Sequence, residues 1–521
     1  MKISKLTLAI ATVLGAGASS GAFAMDLYVD TKTKQIYAEP GPHRQLMGNF
    51  EKVDNTPAKT ADKAEKLDKA EIKAIREDLA LKDNAIKALQ EHTEQASGPD
   101  SVNVKLDNKG LNFETKDKNF KFKLGGRIHA DANFTSNDEF VLANRTTGLA
   151  STTPPTPAEA NDGTEFRRAR IDFSGTFYKD WNFKTVADFA DNGVAMKDLF
   201  LQYTGLDFMS ITGGQQKQNF SRELLESSND QMFTERSLMN VIAAPVVDRA
   251  IGLNFQSEAK KGWTAAGGIY GNSITPARTA GTEVANAGDE GWAVSGRATY
   301  APIEEKTKVV HLGIAGNYRK PDGNGDVAQS KALRFDYETN HMSNLNLIDS
   351  TVNDVDNISM LGLETSAMYG PFSAGGEYTH MWIDRAQKGA GVVAADGGTS
   401  NLGLHGWYAD AAWTITGESR KYKQGRFYKL DPDKKFSLKN GGLGAWELAT
   451  RYSSVELNDG VFKGGNMSNM TVALNWYMNS NMRLMADYTR AFSLTNPAVI
   501  NRAGGQPENT DTFTVRAQLA Y

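Results

Sequence analysis

The chain ends in the stretch Asp511-Thr-Phe-Thr-Val-Arg-Ala-Gln-Leu-Ala-Tyr521. From Phe513 onward every second residue is apolar or aromatic, and the residues between them are threonine, arginine, glutamine and alanine. A β-strand has a side-chain period of two, so this stretch predicts a strand with one apolar and one mostly polar face. It is either the edge strand of a soluble β-sandwich or the closing strand of a barrel, and the rest of the chain decides between them.

The first 24 residues have the pattern of a secretory signal peptide. Lys2 and Lys5 give a positive start, an apolar run covers 6–16, and the triplet at 22–24 is an Ala-Phe-Ala cleavage site. The apolar run is too short to cross a bilayer as a helix, and no later stretch contains 18 apolar residues. We therefore expect an exported protein, with residues 1–24 removed and without membrane-spanning helices.

The composition excludes several classes of protein. The chain has no cysteine, so it is not a small domain held together by disulfides. Its formal net charge of -4 gives no sign of nucleic-acid binding. Seven histidines occur without a zinc-protease, serine-hydrolase or phosphate-loop motif. We therefore expect no enzyme, no cofactor and no metal site.

From residue 119 to 521 the sequence alternates in segments of about ten residues, which is typical of membrane barrels. In the first segment Leu124 and Ile128 point one way, whereas Arg127 and Asp131 point the other. Sixteen such segments can be drawn, separated by turns that are short at one end and long at the other. The pattern predicts an all-β fold, a 16-stranded transmembrane antiparallel β-barrel in the bacterial outer membrane, with both chain ends on the short-turn, periplasmic side.

Two connections between these strands are unusual. Residues 218–248 are too long for a simple turn, and we expect them to fold into the barrel. Residues 417–442 are also long, although the strand count places them among the short turns.

The region before the barrel divides into three parts: a short segment at 25–58, a helix at 59–95 and a linker at 96–118. The helical part is rich in Ala, Lys, Glu and Leu and contains neither Gly nor Pro. It is either a coiled coil, in which isoleucines at the a and d positions favour three strands, or a lone solvated helix. The apolar heptad positions are Ile72, Ile75, Leu79, Ile86 and Leu89.

Several stretches between residues 109 and 521 are typical of one known family. They are 109–113, 124–128, Phe166-Arg-Arg-Ala-Arg170, 181–184, 187–189, Ser227-Ser228, 235–238, 416–420, Gly444-Ala-Trp-Glu-Leu448, 451–453 and Leu474-Asn-Trp-Tyr477. Through them the chain resembles the phosphate- and polyphosphate-selective porin family. The resemblance implies a sixteen-stranded, homotrimeric outer-membrane barrel whose lumen passes small anions such as phosphate and pyrophosphate along a file of arginines.

Arginine suits oxyanions because its planar fork donates paired hydrogen bonds and stays charged. By resemblance, Arg167 and Arg168 match the paired arginines near the narrowest part of the pore, and Arg236 matches the arginine that ends the infolded loop. Alternation predicts that six more arginines face the lumen. These are Arg127, Arg170, Arg297, Arg451, Arg483 and Arg516. The alternative is that lumen arginines pair with lumen acids and hold the wall together.

The infolded loop departs from the phosphate-specific members of the family. It holds two arginines and five acids, and Leu225 and Asn229 stand where those members have lysines. We therefore expect an anion channel with weak phosphate specificity. The alternatives are a general diffusion porin, or a structural or adhesive outer-membrane protein with the 59–95 helix as a periplasmic tether. The expected partners are small anionic solutes, outer-membrane lipid and two further copies of the chain.

Overall fold

The structure is a computed structural model. It describes residues 25–32, 36–37, 39–50, 76–88, 101–107, 110–136, 139–144, 149–150, 156–272, 291–321, 332–338, 340–343, 345–385, 401–502 and 510–521. The expected signal peptide lies outside the described residues, as do Ile72, Ile75 and Leu89 of the expected coiled coil.

Sixteen antiparallel strands form a closed barrel, as the alternation predicted. The last strand pairs with the first, from Asp511 opposite Ser136 to Ala520 opposite Arg127. The strands are β1 Phe120–Ser136, β2 Gly163–Phe177, β3 Trp181–Asp188, β4 Ala195–Leu206, β5 Met209–Lys217, β6 Arg249–Ser257, β7 Trp263–Tyr270, β8 Trp292–Glu304, β9 Lys308–Lys320, β10 Val355–Tyr369, β11 Phe372–Arg385, β12 Leu402–Thr414, β13 Ala445–Asp459, β14 Phe462–Tyr477, β15 Met482–Thr495 and β16 Asp511–Ala520.

The outer wall of the barrel is apolar. In β1, Leu124 and Ile128 are exposed, whereas Arg127 and Asp131 are buried in the interior. Aromatic pairs lie at strand ends beside the short turns, and the Trp263 and Tyr300 rings, for example, stack 4.3 Å apart. This arrangement gives an apolar band with aromatic residues at its margin, which is the outer surface that a membrane barrel requires.

The main hydrophobic core lies inside the barrel at its long-loop end. Apolar residues on the inner faces of β10 to β15 pack there against the connecting loops. The connecting loops contain the strands Glu139–Asn144, Leu149–Ala150, Pro157–Glu159, Leu333–Glu338, Asn346–Val352 and Val499–Asn501, the helix Asn240–Val247, and the 3-10 turns Ala190–Asn192 and His341–Ser343, although not all of these elements take part in the core. Phe140, Phe335, Leu347 and Ile348 are fully buried among them. The loops therefore fill the barrel on the β10–β15 side.

A hairpin extends the seam of the barrel. It consists of Val102–Asp107 and Gly110–Thr115, within the segment that we expected to be a linker. Its second strand pairs with residues 121–124 of β1. The backbone of Tyr521 exchanges hydrogen bonds with that of Gly126, two residues further along β1. The hairpin therefore pairs with the part of β1 that the last strand does not reach.

The described residues of the N-terminal part, at 25–32, 36–37, 39–50 and 76–88, belong to a compact unit of their own. In it Met25–Asp30 pairs with Ile36–Tyr37 on one side and with Arg44–Phe50 on the other. Residues 76–88 are helical and exposed throughout, including the heptad residues Leu79 and Ile86. Pairing of this helix with another copy stays a prediction. Among the described residues, no helix is long and apolar enough to cross a membrane.

Candidate functional site

A cavity of about 530 Å³ lies inside the barrel, beside strands β1 to β6 and bounded by the 218–248 loop. Its charged lining contains ten basic and five acidic side chains, so the cavity is electropositive although the whole chain is acidic. The basic residues are Arg127, Arg167, Arg168, Arg170, Lys184, Lys197, Lys217, Arg236, Arg249 and Arg426. The acidic residues are Asp188, Asp198, Glu226, Asp230 and Asp248.

A β-bulge brings two consecutive arginines to this cavity. In the ladder between β2 and β1, Phe166 lies opposite Ala130 and Arg168 opposite His129, so Arg167 is an extra residue. An extra residue bends the strand and redirects a side chain that strict alternation would send outward. Arg167 and Arg168 can therefore both face the lumen.

A second bulge acts in the same way on β4. Thr185 of β3 lies opposite Leu199, and Ala187 lies opposite Met196, so two residues of β4 oppose one residue of β3. Those two residues are Lys197 and Asp198, and both line the cavity.

Arg168 is a cavity arginine whose charge has no close carboxylate partner. It is 5% exposed, and its nearest polar side-chain partner is His129, with Nη1 3.5 Å from Nδ1. No carboxylate of a described residue lies within 4.0 Å of its guanidinium. A guanidinium without a carboxylate partner keeps its charge and has donors left for a ligand that enters the cavity.

The other predicted arginines of the cavity are partly neutralised. Arg127 donates to Asp172 at 3.0 Å and to Ser227 and Ser228 at 3.1 and 3.2 Å. Arg170 pairs with Asp188 at 2.7 Å.

The two remaining predicted arginines of the cavity donate to residues of the infolded loop, one from strand β2 and one from the loop itself. Arg167 donates to both oxygens of Glu235, at 2.9 and 3.2 Å. Arg236 donates to the backbone oxygen of Glu223 at 3.3 Å.

The remaining four predicted arginines do not line this cavity. Arg297 makes a bidentate pair with Glu364 at 2.6 and 2.8 Å, and Arg451 contacts Glu223 at 3.1 Å. Arg483 donates to the Gln518 side chain at 2.6 Å. The fourth, Arg516, pairs with Asp131 across the seam. Arg297, Arg451 and Arg516 thus pair with acids, which is the arrangement that the alternative describes, whereas Arg483 contacts a neutral side chain.

Two of the five acidic side chains of the infolded loop do not line the cavity. Glu223 accepts hydrogen bonds from Ser237 and from Arg451 on the opposite wall, and Glu235 is held by Arg167 and Arg516. The loop begins with the short helix Arg222–Leu225, capped by the Ser221 hydroxyl. Neither glutamate lines the cavity, which explains how a loop with five acids borders an electropositive space.

Glu226 is a carboxyl of the infolded loop that lines the cavity and also lies near the buried side chain of Arg222. Its Oε1 atom lies 3.6 Å from Nη1 of Arg222. Burial raises the pKa of Glu226 to about 7, so this carboxyl is partly neutral at physiological pH.

A second insertion enters the barrel from the short-turn end. This insertion is the segment 417–442, which was unexpectedly long for a short turn. It contains a small hairpin formed by Tyr422–Lys423 and Arg426–Phe427. Arg420 holds it to the wall through a bidentate pair with Glu447 at 2.8 and 2.6 Å. Residues 426–428 complete the lining of the cavity.

The two insertions meet at Asp230. Its backbone oxygen accepts from Arg420 at 3.2 Å, and its carboxylate accepts from the backbone N–H of Lys429 at 3.2 Å. One residue of the infolded loop therefore contacts both the base and the tip region of the second insertion.

Sequence reasoning missed five basic residues of the cavity. Lys184 shares the parity of Asp188 on β3, so alternation could have identified it. Lys197 depends on a bulge, and Arg426 depends on an insertion whose path no local pattern shows. The other two, Lys217 and Arg249, face each other where the infolded loop leaves and rejoins the wall. Within the described ranges no cluster of three or more His, Cys, Asp or Glu residues could hold a metal ion.

Comparison with known proteins identifies relatives of the chain. A model of the family described as phosphate-selective porin O and P matches residues 153–521. Porin O of Pseudomonas aeruginosa is 27% identical over 441 residues, covering 79% of this chain and 91% of porin O. The family match extends from the loop after β1 to the last residue.

Two solved structures are also similar. The anion-selective porin from Comamonas acidovorans has 13% identity and a TM-score of 0.45, and the match covers 77% of this chain and 100% of that porin. The outer membrane channel DcaP of Acinetobacter baumannii has 12% identity and a TM-score of 0.45, and the match covers 79% of this chain and 100% of that channel.

Proposed function

The chain belongs to the family of phosphate-selective porins O and P and is an outer-membrane porin, and from this premise we propose that it passes small anions, phosphate and pyrophosphate among them. The observation that carries the proposal is the excess of ten basic over five acidic side chains around one cavity. Charges in a narrow space between low-dielectric walls act on every passing ion, because water screens them poorly there. The field of this lining favours anions.

The transport mechanism is passive. An anion sheds part of its hydration shell, moves between basic side chains and leaves because no single site holds it strongly. Among the arginines predicted from the sequence, we propose Arg168 as the strongest contact, because no described carboxylate competes for it. Arg127, Arg167, Arg170 and Arg236 contribute more weakly, since each already donates to a protein oxygen.

A general anion porin without phosphate specificity is the second candidate. It is favoured by Leu225, an apolar residue in the cavity lining where phosphate-specific relatives are expected to have a lysine. It is favoured also by the hydrogen bonds of Ser227 and Ser228, which are occupied with Arg127.

Two measurements on the purified protein in planar bilayers separate these functions. The reversal potential in a potassium chloride gradient tests anion preference, and a cation-selective parent channel would refute the proposal. Inhibition of the chloride current by inorganic phosphate tests specificity. Saturating inhibition supports a phosphate pathway, whereas a current that is indifferent to phosphate supports the general porin. Absence of any conductance would favour the structural or adhesive role.

We also propose that the protein is a homotrimer in which the 59–95 helices associate. The family resemblance supports it, and so does the exposure of Leu79 and Ile86 on the helix of a single chain, at 61% and 50%. Apolar heptad residues are covered when helices wind around each other. Deletion of 59–95 should leave a folded barrel with a loosened trimer. A monomeric mass for the intact protein in mild detergent would contradict this proposal.

A further inference from the structure

The tip of the second insertion is a tight two-residue turn inside the barrel. Gln424 and Gly425, with φ of 50° and 71°, connect the paired strands Tyr422–Lys423 and Arg426–Phe427. Positive φ at both central residues is typical of a type I′ hairpin, whose twist matches that of its strands. The turn thus fixes the direction in which the next residue, Arg426, leaves the hairpin.

The barrel wall holds this turn in place. Arg297 donates a hydrogen bond of 2.8 Å to the backbone oxygen of Gly425, and the Tyr422 hydroxyl lies 2.8 Å from Nδ1 of His311. Phe427 is buried in an apolar cluster with Val309 and Met368. A side chain added at Gly425 would meet Oγ1 of Thr299 at 2.8 Å, so the turn lies directly against the wall. The position of Arg426 is therefore preorganised.

The Arg426 side chain reaches the cavity without an acidic partner. It lines the same space as Arg127, Arg168 and Ser228. Its Nε is buried and has no hydrogen-bond partner, and no carboxylate of a described residue lies within 4.0 Å of it. By contrast Arg420, six residues earlier, is fully engaged with Glu447. Leaving a buried guanidinium donor unsatisfied is costly unless a ligand supplies the acceptor.

We propose that Arg426 is a specificity-determining residue of the pore, which binds a tetrahedral oxyanion of the phosphate type at a subsite on the short-turn side of the infolded loop. The inference rests on the proposed anion pathway and adds a binding group from a second, independent insertion. The guanidinium fork can donate two parallel hydrogen bonds to two oxygens of one phosphoryl group, whereas both donors must converge on the single centre of a halide ion. Arg426 would therefore discriminate phosphate from chloride.

Neighbouring charges support this assignment. Burial lowers the pKa of Arg426, and the nearby charge of Arg297 acts in the same direction. The guanidinium still stays charged at neutral pH. A bound anion would offset the repulsion between the two arginines and would accept a hydrogen bond from the buried Nε of Arg426.

The test measures inhibition of the chloride current by inorganic phosphate in the full-length protein. We expect Arg426→Gln to raise the half-inhibitory phosphate concentration roughly tenfold, as loss of a charge-assisted bidentate contact implies. Arg426→Lys keeps the charge but loses the fork. It should retain the parent reversal potential in potassium chloride while losing most of the phosphate inhibition. Lys439→Gln is the matched control, since this exposed lysine of the same segment loses the same charge.

The outcomes separate this inference from the proposed function. If the parent is anion-selective and inhibited by phosphate, but both Arg426 variants are inhibited like the parent, the Arg426 assignment alone is wrong. If phosphate does not inhibit the parent, the phosphate pathway and the assignment fall together. Should Arg426→Gln fail to insert, Arg426→Lys decides by itself, because it preserves the cation and most of the volume. A tenfold effect of Lys439→Gln would show that charge anywhere in the segment suffices, which also overturns the proposal.

Discussion

Arg516 in the last strand donates two hydrogen bonds to Asp131 in the first strand, at 2.7 Å from Nε to Oδ1 and 2.6 Å from Nη2 to Oδ2. Both residues are buried, and Nη2 of Arg516 also lies 3.0 Å from Glu235 in the infolded loop. This ion pair therefore joins the closing seam of the barrel to the loop that borders the cavity.

Removing the cation from this seam should destabilise the barrel. Arg516→Gln leaves the buried Asp131 carboxylate without its cation, and such losses cost about 3–5 kcal/mol. Urea unfolding of the protein in lipid vesicles measures the change. The control is Arg490→Gln, because Arg490 lies 3.8 Å from Asp511 in a half-exposed pair at the neighbouring strand and should contribute about 1 kcal/mol or less. Equal effects of the two substitutions would contradict this prediction.

Reversing the charge at Arg168 should reverse or sharply reduce the anion preference. Arg168→Glu changes the lining by two charges at a site without a described carboxylate partner. We expect the chloride-to-potassium permeability ratio to fall on the order of tenfold, because the charge acts through a poorly screened space. Lys439→Glu makes the same charge change on an exposed residue and should leave the ratio within about twofold, since solvent screens it. A ratio that is insensitive to Arg168→Glu would place the anion pathway elsewhere.

Anion preference should increase as the pH falls from 8 to 6. Because the pKa of Glu226 is raised to about 7 by burial, this carboxyl takes up a proton in that range and the cavity loses a negative charge. Glu226→Gln should give a reversal potential that is nearly constant over the same range. Asp248→Asn removes a charge from the same cavity but keeps Glu226, so it should retain the pH dependence. A full pH response in Glu226→Gln would exclude Glu226 as the titrating group.

His341, in the loop between β9 and β10, should make the packing of that loop depend on pH. Nδ1 of His341 lies 2.7 Å from Oε2 of Glu165, and this hydrogen bond raises the pKa of His341; the charge of Glu338 acts in the same direction, whereas burial and Arg167 oppose it. Because the folded-state pKa is raised, the stabilisation is fully present below the unfolded-state value near 6.5 and is lost as the pH rises through the folded-state pKa.

Tryptic cleavage at the half-exposed Arg334 in the same loop measures this packing. The parent should be cleaved several-fold more slowly than His341→Asn at pH 6, and the two rates should converge above the folded-state pKa. Taking the ratio of rates at each pH removes the pH dependence of trypsin itself. A ratio that does not change with pH would contradict the prediction.

The sequence by itself determined the barrel. The period-two pattern is local, since each residue's side depends only on its position along its own strand, and it therefore predicted sixteen strands and the Arg516 face of the last strand. The long segment at 417–442 also stood out from length alone, although nothing in its sequence indicated that it enters the lumen.

Only the tertiary structure decided which arginines have a carboxylate partner and which do not. Arg297 is neutralised by Glu364 and Arg167 is held by Glu235, partners that lie 67 and 68 residues away in the chain. Arg168 keeps an uncompensated charge because the one-residue bulge places Arg167, and not Arg168, against Glu235. Arg426 keeps one because an anchored hairpin carries it to the cavity. Alternation records the face of a strand, but charge compensation depends on loops that cross the lumen, and their paths follow from long-range packing.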